Sequence, residues 1–121
     1  MPYVDGFVLA VPKENLEAYR KVTELAGSVW MDHGALSYME CVADDVPDGE
    51  VTSFLKAVQA KPDEVVFFSW ITYRDRASRD EINAKVMADP RLQGPSEMPF
   101  DGKRMIYGGF QSFTMMPNWE A

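Results

Sequence analysis

Val65-Val66-Phe67-Phe68-Ser69-Trp70-Ile71-Thr72-Tyr73 is nearly all apolar and aromatic, broken only by Ser69 and Thr72. In a strand, Val65, Phe67 and Ile71 fall on one face and Val66, Phe68 and Trp70 on the other, so both faces require cover. Upstream, Val51, Phe54, Leu55 and Val58 recur at helical spacing and predict a short amphipathic helix over one edge, stopped by Lys61-Pro62. Leu36 to Ala43 reads as a strand that ends in the turn-forming cluster Asp44, Asp45, Pro47, Asp48 and Gly49. Leu16, Tyr19, Val22, Ala26, Val29, Trp30 and His33 form one stripe of a long helix. Glu17, Arg20, Lys21 and Glu24 take its opposite side, and Gly34 is placed to close it. The first strand runs from Tyr3 to Val11 and stops at Pro12, which has no N–H for a sheet ladder.

Downstream, Ser78-Arg79-Asp80-Glu81 has the spacing of a capping box, opening a helix with Ile82, Val86 and Met87 inside and Asp89-Pro90 at its end. Arg91 to Lys103 is punctuated by Gly94, Pro95, Pro99 and Gly102, which predicts an irregular segment suited to a lid. Arg104 to Thr114 predicts a last strand, in which Gly108-Gly109 call for a bulge or a close neighbour. The resulting order, β-α-β-short α-β-α-β, predicts an α+β, ferredoxin-like split-βαβ fold: a four-stranded antiparallel sheet with two long helices on one face, as one domain over residues 1–121. The helices cover one face only. A second copy of the same sheet is the expected cover for the other, giving a homodimer built as one shared α+β barrel.

Charge and composition exclude several function classes. Twelve Lys and Arg against nineteen Asp and Glu leave a net charge of -7, which repels phosphate backbones and anionic membranes. No nucleic-acid or membrane partner is therefore expected. The chain carries a single cysteine, Cys41, so an intrachain disulfide framework and a multi-thiolate metal centre are ruled out. No signal-peptide pattern or membrane-spanning run is present, and a cytoplasmic location is expected. Nucleotide loops and metal-ligand clusters are also missing, so no cofactor and no metal are expected.

Three segments then carry a resemblance: Trp30-Met31-Asp32-His33-Gly34-Ala35-Leu36, Tyr38-Met39-Glu40-Cys41, and Phe100-Asp101-Gly102-Lys103-Arg104-Met105-Ile106-Tyr107-Gly108-Gly109-Phe110. Together they resemble the YbaA-like family of uncharacterised bacterial proteins, within the dimeric α+β barrel superfamily. The resemblance implies a fold and a dimer. It implies no catalytic residues, because that family has no established activity. The wider superfamily holds cofactor-free monooxygenases, haem-degrading enzymes, isomerases and binding proteins, and fold does not fix function among them.

Residue types nominate a site. His33, the only histidine, is either a general base or haem ligand near the sheet, or a helix-end residue satisfying the last carbonyls. Asp5 and Glu40 are acids inside apolar strands, which must pair or take up a proton. They serve either a pocket or a polar network at a dimer interface, with Arg104 and Gln111 as expected partners. The aromatic residues Trp30, Tyr38, Phe67, Trp70, Tyr73, Tyr107 and Phe110 are core or the lining of a cleft for a flat ligand. The expected ligand-binding set is Trp30, His33, Tyr38, Trp70 and Arg104, between helices and sheet and closed by the segment before Arg104. Two function classes follow, a small-molecule-binding dimer and a cofactor-independent oxygenase or isomerase acting on an aromatic substrate. No residue signature separates them.

Overall fold

The computed structural model describes residues 1–94 and 97–117. Four strands, β1 (Tyr3–Pro12), β2 (Ser37–Val42), β3 (Glu64–Tyr73) and β4 (Ile106–Gln111), form one antiparallel sheet in the order β2-β3-β1-β4. Three helices accompany it: α1 (Leu16–Asp32), the single-turn α2 (Phe54–Ala57) and α3 (Arg76–Met87). β1 and β3 pair along their full lengths, from Tyr3 opposite Tyr73 to Pro12 opposite Glu64, and form the centre of the sheet.

This register divides the sheet by face. Tyr3, Asp5, Phe7, Leu9 and Val11 of β1 and Phe67, Ser69, Ile71 and Tyr73 of β3 lie on the side of α1 and α3. One core cluster there joins Tyr3, Val29, Ile71, Tyr73, Ile82 and Val86 under both long helices. A second gathers Leu9, Val11 and Tyr19, with Phe67, Phe100 and Met105 packed against it. Gly34, with φ +110°, turns the chain from α1 into β2.

The expectation of a shared barrel is overturned. The sheet is open: β2 and β4 are its two edges and do not pair with each other. Apolar residues on both faces showed that the far face needs cover, but they carried no information on edge pairing, which is what closure requires. Part of the cover comes from the same chain. Val58, Leu55 and Ala60 pack on Ala10 and Val66 of the far face, and Phe54 meets Phe68 edge-on at 5.8 Å. The short helix thus lies over one end of that face. The rest is bare, with Phe68, Ile106 and Phe110 exposed by 44%, 46% and 63%.

Several boundaries also differ from the sequence reading: β1 runs on through Pro12, opposite Glu64, and β4 stops at Gln111 rather than Thr114. The cap of α3 is Asp75, whose carboxylate accepts the Ser78 N–H at 2.7 Å, so the helix starts before the expected capping box. Arg104 belongs to a 3-10 turn, Gly102–Arg104, and β4 begins only at Ile106. Gly109 of β4 faces Tyr3 and Arg79 so closely that a Cβ would collide with both, which accounts for a glycine there.

Candidate functional site

Beneath α1 the two core clusters leave a gap. Ser69 on β3 and Ala26 on α1 are too small to fill it, and a cavity of about 200 Å³ remains between helix and sheet. Tyr19, Trp30 and Tyr38 contribute aromatic wall, and Met98, Phe100 and Met105 of the segment before β4 also line it. That segment is tied to the start of α1 by Asn15, which donates to the Pro99 carbonyl at 3.0 Å. Its Pro95 lies outside the described residues.

Glu40 is the charged residue of this lining. Its position opposite Ser69 in the β2–β3 ladder turns it toward α1. The Tyr19 hydroxyl donates to Oε1 at 2.7 Å and the Tyr38 hydroxyl to Oε2 at 3.0 Å, so each carboxylate oxygen has one phenol donor. Burial, reinforced by Glu40 itself, pushes both phenols well above the ordinary tyrosine range, and they remain protonated donors at any physiological pH. Tyr38 is clamped by helix α1, where a Cβ on Gly27 would come within 3.0 Å of its ring. The Trp30 and Tyr38 rings lie 6.2 Å apart, and Tyr19 meets Phe100 edge-on at 5.7 Å. The arrangement is an apolar, aromatic chamber with one anionic acceptor, able to take hydrogen bonds from a small guest.

Of the other nominated residues, Trp30 and Trp70 also line the cavity, whereas His33, Asp5 and Arg104 do not. Trp30 lines the cavity, but its indole N–H is turned to the Tyr73 hydroxyl and to Asn83 Oδ1, both at 3.1 Å. Burial raises the Tyr73 phenol, with Asp5 adding to the effect. Trp70 borders both sides of the sheet and stacks edge-on with Phe68 at 5.6 Å. His33 caps α1 with its backbone N–H on the Val29 carbonyl, while its ring engages Asp89 at 2.7 Å rather than the helix-end carbonyls. Asp89 is further held by Arg91, whose guanidinium and backbone N–H bring its carboxyl far below the usual range, and His33 adds to that.

Asp5 and Arg104 pair with residues other than those expected. Asp5 receives Arg79 Nε at 3.0 and 3.2 Å, and that guanidinium sits 5.1 Å from the centre of the Tyr3 ring. Arg104 grips Glu64 at 2.6 and 2.8 Å and Asp101 at 3.0 Å, a structural clamp outside the cavity lining. Its hydrogen bonds hold the Glu64 carboxyl below the ordinary range. Tyr19 is the site residue that sequence reasoning assigned only to the helix stripe. Its phase on α1 toward β2 was the available signal, but a partner 21 residues away is fixed only by the fold. Among the described residues, no cluster of His, Cys, Asp or Glu suits a metal ion, and no helix is long and apolar enough to cross a membrane.

A larger concavity, about 560 Å³, lies on the bare face of the sheet, lined by Val4, Val8, Phe68, Trp70, Ile106 and Phe110. Thr72 and Tyr107 bring the hydroxyls of its lining. The concavity offers apolar area and little to orient a small molecule.

Similarity to known proteins agrees with this picture of the fold. The uncharacterized protein YbaA of Escherichia coli strain K12 is 54% identical over 113 residues, covering 93% of this chain and 97% of the relative. The protein of the same name from Shigella flexneri matches to the same extent. A dimeric ferredoxin-like protein from an uncultured marine organism superimposes with a TM-score of 0.53 at 16% identity, covering 98% of this chain and 100% of the other. Residues 2–102 match the family described as protein of unknown function, DUF1428. The chain therefore belongs to the DUF1428 family and is a small bacterial YbaA-type protein of unknown function.

Proposed function

We propose that this chain is a small-molecule-binding homodimer that holds its ligand in the cavity between α1 and the sheet. The observation that carries the reading is Glu40, the one charged group, presented by two protonated tyrosines inside a largely apolar and aromatic chamber. Its volume, about 200 Å³, lies below the ~300–1,000 Å³ of drug-sized sites, so the guest is one ring or a short chain. Ala26→Leu tests the assignment, because the larger side chain fills the chamber. In a calorimetric screen of single-ring compounds, binding to wild type and its loss in a folded A26L protein is expected. Hits that bind both proteins equally place the site elsewhere.

The homodimer rests on the bare apolar face. A contiguous patch carrying Phe68, Trp70, Ile106 and Phe110 is costly to leave in water, and stacking it on a second copy removes it. Each sheet stays open in this arrangement. The similar marine protein is described as dimeric, which is consistent with such an assembly. A cytoplasmic location suits a chain whose single thiol, Cys41, is free.

A further inference from the structure

The acids on and around this sheet differ in one respect. Asp5 is paired with Arg79, Glu64 with Arg104, and Asp89 with His33 and Arg91. Glu40 has no such cation: among the described residues it makes no salt bridge, and its hydrogen bonds come from two neutral phenols. Arg20 lines the cleft on the outer side of Glu40 but is turned to Glu17, 3.6 Å away. A half-buried carboxylate held by neutral donors has its hydrogen-bonding needs partly met and its charge unmet. The phenols cannot supply that charge, since a tyrosine is a donor without being a cation.

We infer that the guest of this cavity is a small organic cation, a primary ammonium carried on an aromatic or short apolar body, with its charged head on Glu40. This rests on the reading of the cavity as a ligand site. Three features of the wall favour that class. The lone pairs of Glu40 left free by Tyr19 and Tyr38 accept from an ammonium, which brings three donors and the missing charge. Trp30, Tyr19, Tyr38 and Phe100 present rings, whose negative faces attract cations, most strongly when water is excluded. No Lys, Arg or His lines the cavity, so an anionic guest would face Glu40 uncompensated.

The test is calorimetry with two probes of matched shape, 2-phenylethylammonium and 2-phenylethanol, against the full-length protein and its Glu40→Gln variant. The expected result is that wild type binds the ammonium at least tenfold more tightly than the alcohol, and that E40Q loses this preference. Equal or tighter binding of the alcohol by wild type overturns the cation assignment and leaves the cavity reading intact. Binding of neither probe at millimolar concentration overturns both. A tenfold preference retained by folded E40Q removes Glu40 from the role and overturns the inference. Because the wild-type ratio needs no variant, the proposal stays decidable if E40Q fails to fold; in that case A26L locates the probe, and an undiminished ammonium preference in A26L overturns the assignment.

Discussion

Asp5 and Glu40 are acids on the same, helix-facing side of the sheet, and they are stabilised by different means. Asp5 and Arg79 form a nearly buried, two-pronged ion pair that joins β1 to α3. Removing one member strands the other charge, so Arg79→Met should cost about 3 kcal/mol in urea unfolding. The double change Asp5→Leu with Arg79→Met should recover most of that loss; a double variant as unstable as the single one would contradict the stranded-charge account. Glu40 depends instead on phenol donors. Tyr19→Phe deletes a 2.7 Å hydrogen bond to a carboxylate from a buried side chain and should destabilise by about 2 kcal/mol. An unchanged midpoint would mean that Glu40 finds an equivalent partner in water. The sequence showed that both acids need partners, since each interrupts an apolar strand. It did not show which, because Arg79 is 74 residues from Asp5 and only the packing of α3 on the sheet brings them together.

At the level of elements, the strands and the long helices were legible from period and punctuation, while their ends depended on competing local signals. Asp75-x-x-Ser78 and Ser78-x-x-Glu81 are both capping patterns, and the end of β3 at Tyr73 decides for the earlier one. Arg104 read as a strand residue because an apolar run follows it, yet Asp101 caps a 3-10 turn there and delays the strand. The ends of α1 and α3 are joined through Asp89, which takes His33 and Arg91, while Arg91 also reaches Asp32 at 2.7 Å. Asp89 and Glu64 both have carboxyls lowered in the folded state. Their contribution to stability is therefore complete above the unfolded-state range near pH ~4 and is lost as the pH falls through the lower folded values. Thermal unfolding should show Tm dropping below about pH 4, and Asp89→Asn should flatten that drop. A variant with the wild-type acid profile would show that Asp89 does not contribute to it.

On the scale of the whole molecule, two apolar faces and two long helices imply a face in need of cover, and that much could be read from β3 alone. Closure into a barrel could not, because it depends on the edges β2 and β4, whose sequences carry no pairing code for one another. The residues around α2 cover one end of the far face, and a second copy is proposed for the rest. Phe68→Lys combined with Ile106→Lys puts charge on that face without touching the helix-side core, so light scattering should show a dimer reduced to a folded monomer. A monomeric wild type would contradict the assembly.

The sequence points to a cleft between helices and sheet and nominates Trp30, His33, Tyr38, Trp70 and Arg104 for it; the floor at Ser69 and the roof at Ala26 required the register. The cavity is tested most directly by methyl NMR of the protein titrated with 2-phenylethylammonium. Saturable shifts confined to Leu9, Val22, Ala26 and Ile71, which line the cavity, are the expected result. Shifts confined to Val4, Val8 and Ile106 on the bare face, or no shifts at all, would contradict a ligand site between α1 and the sheet.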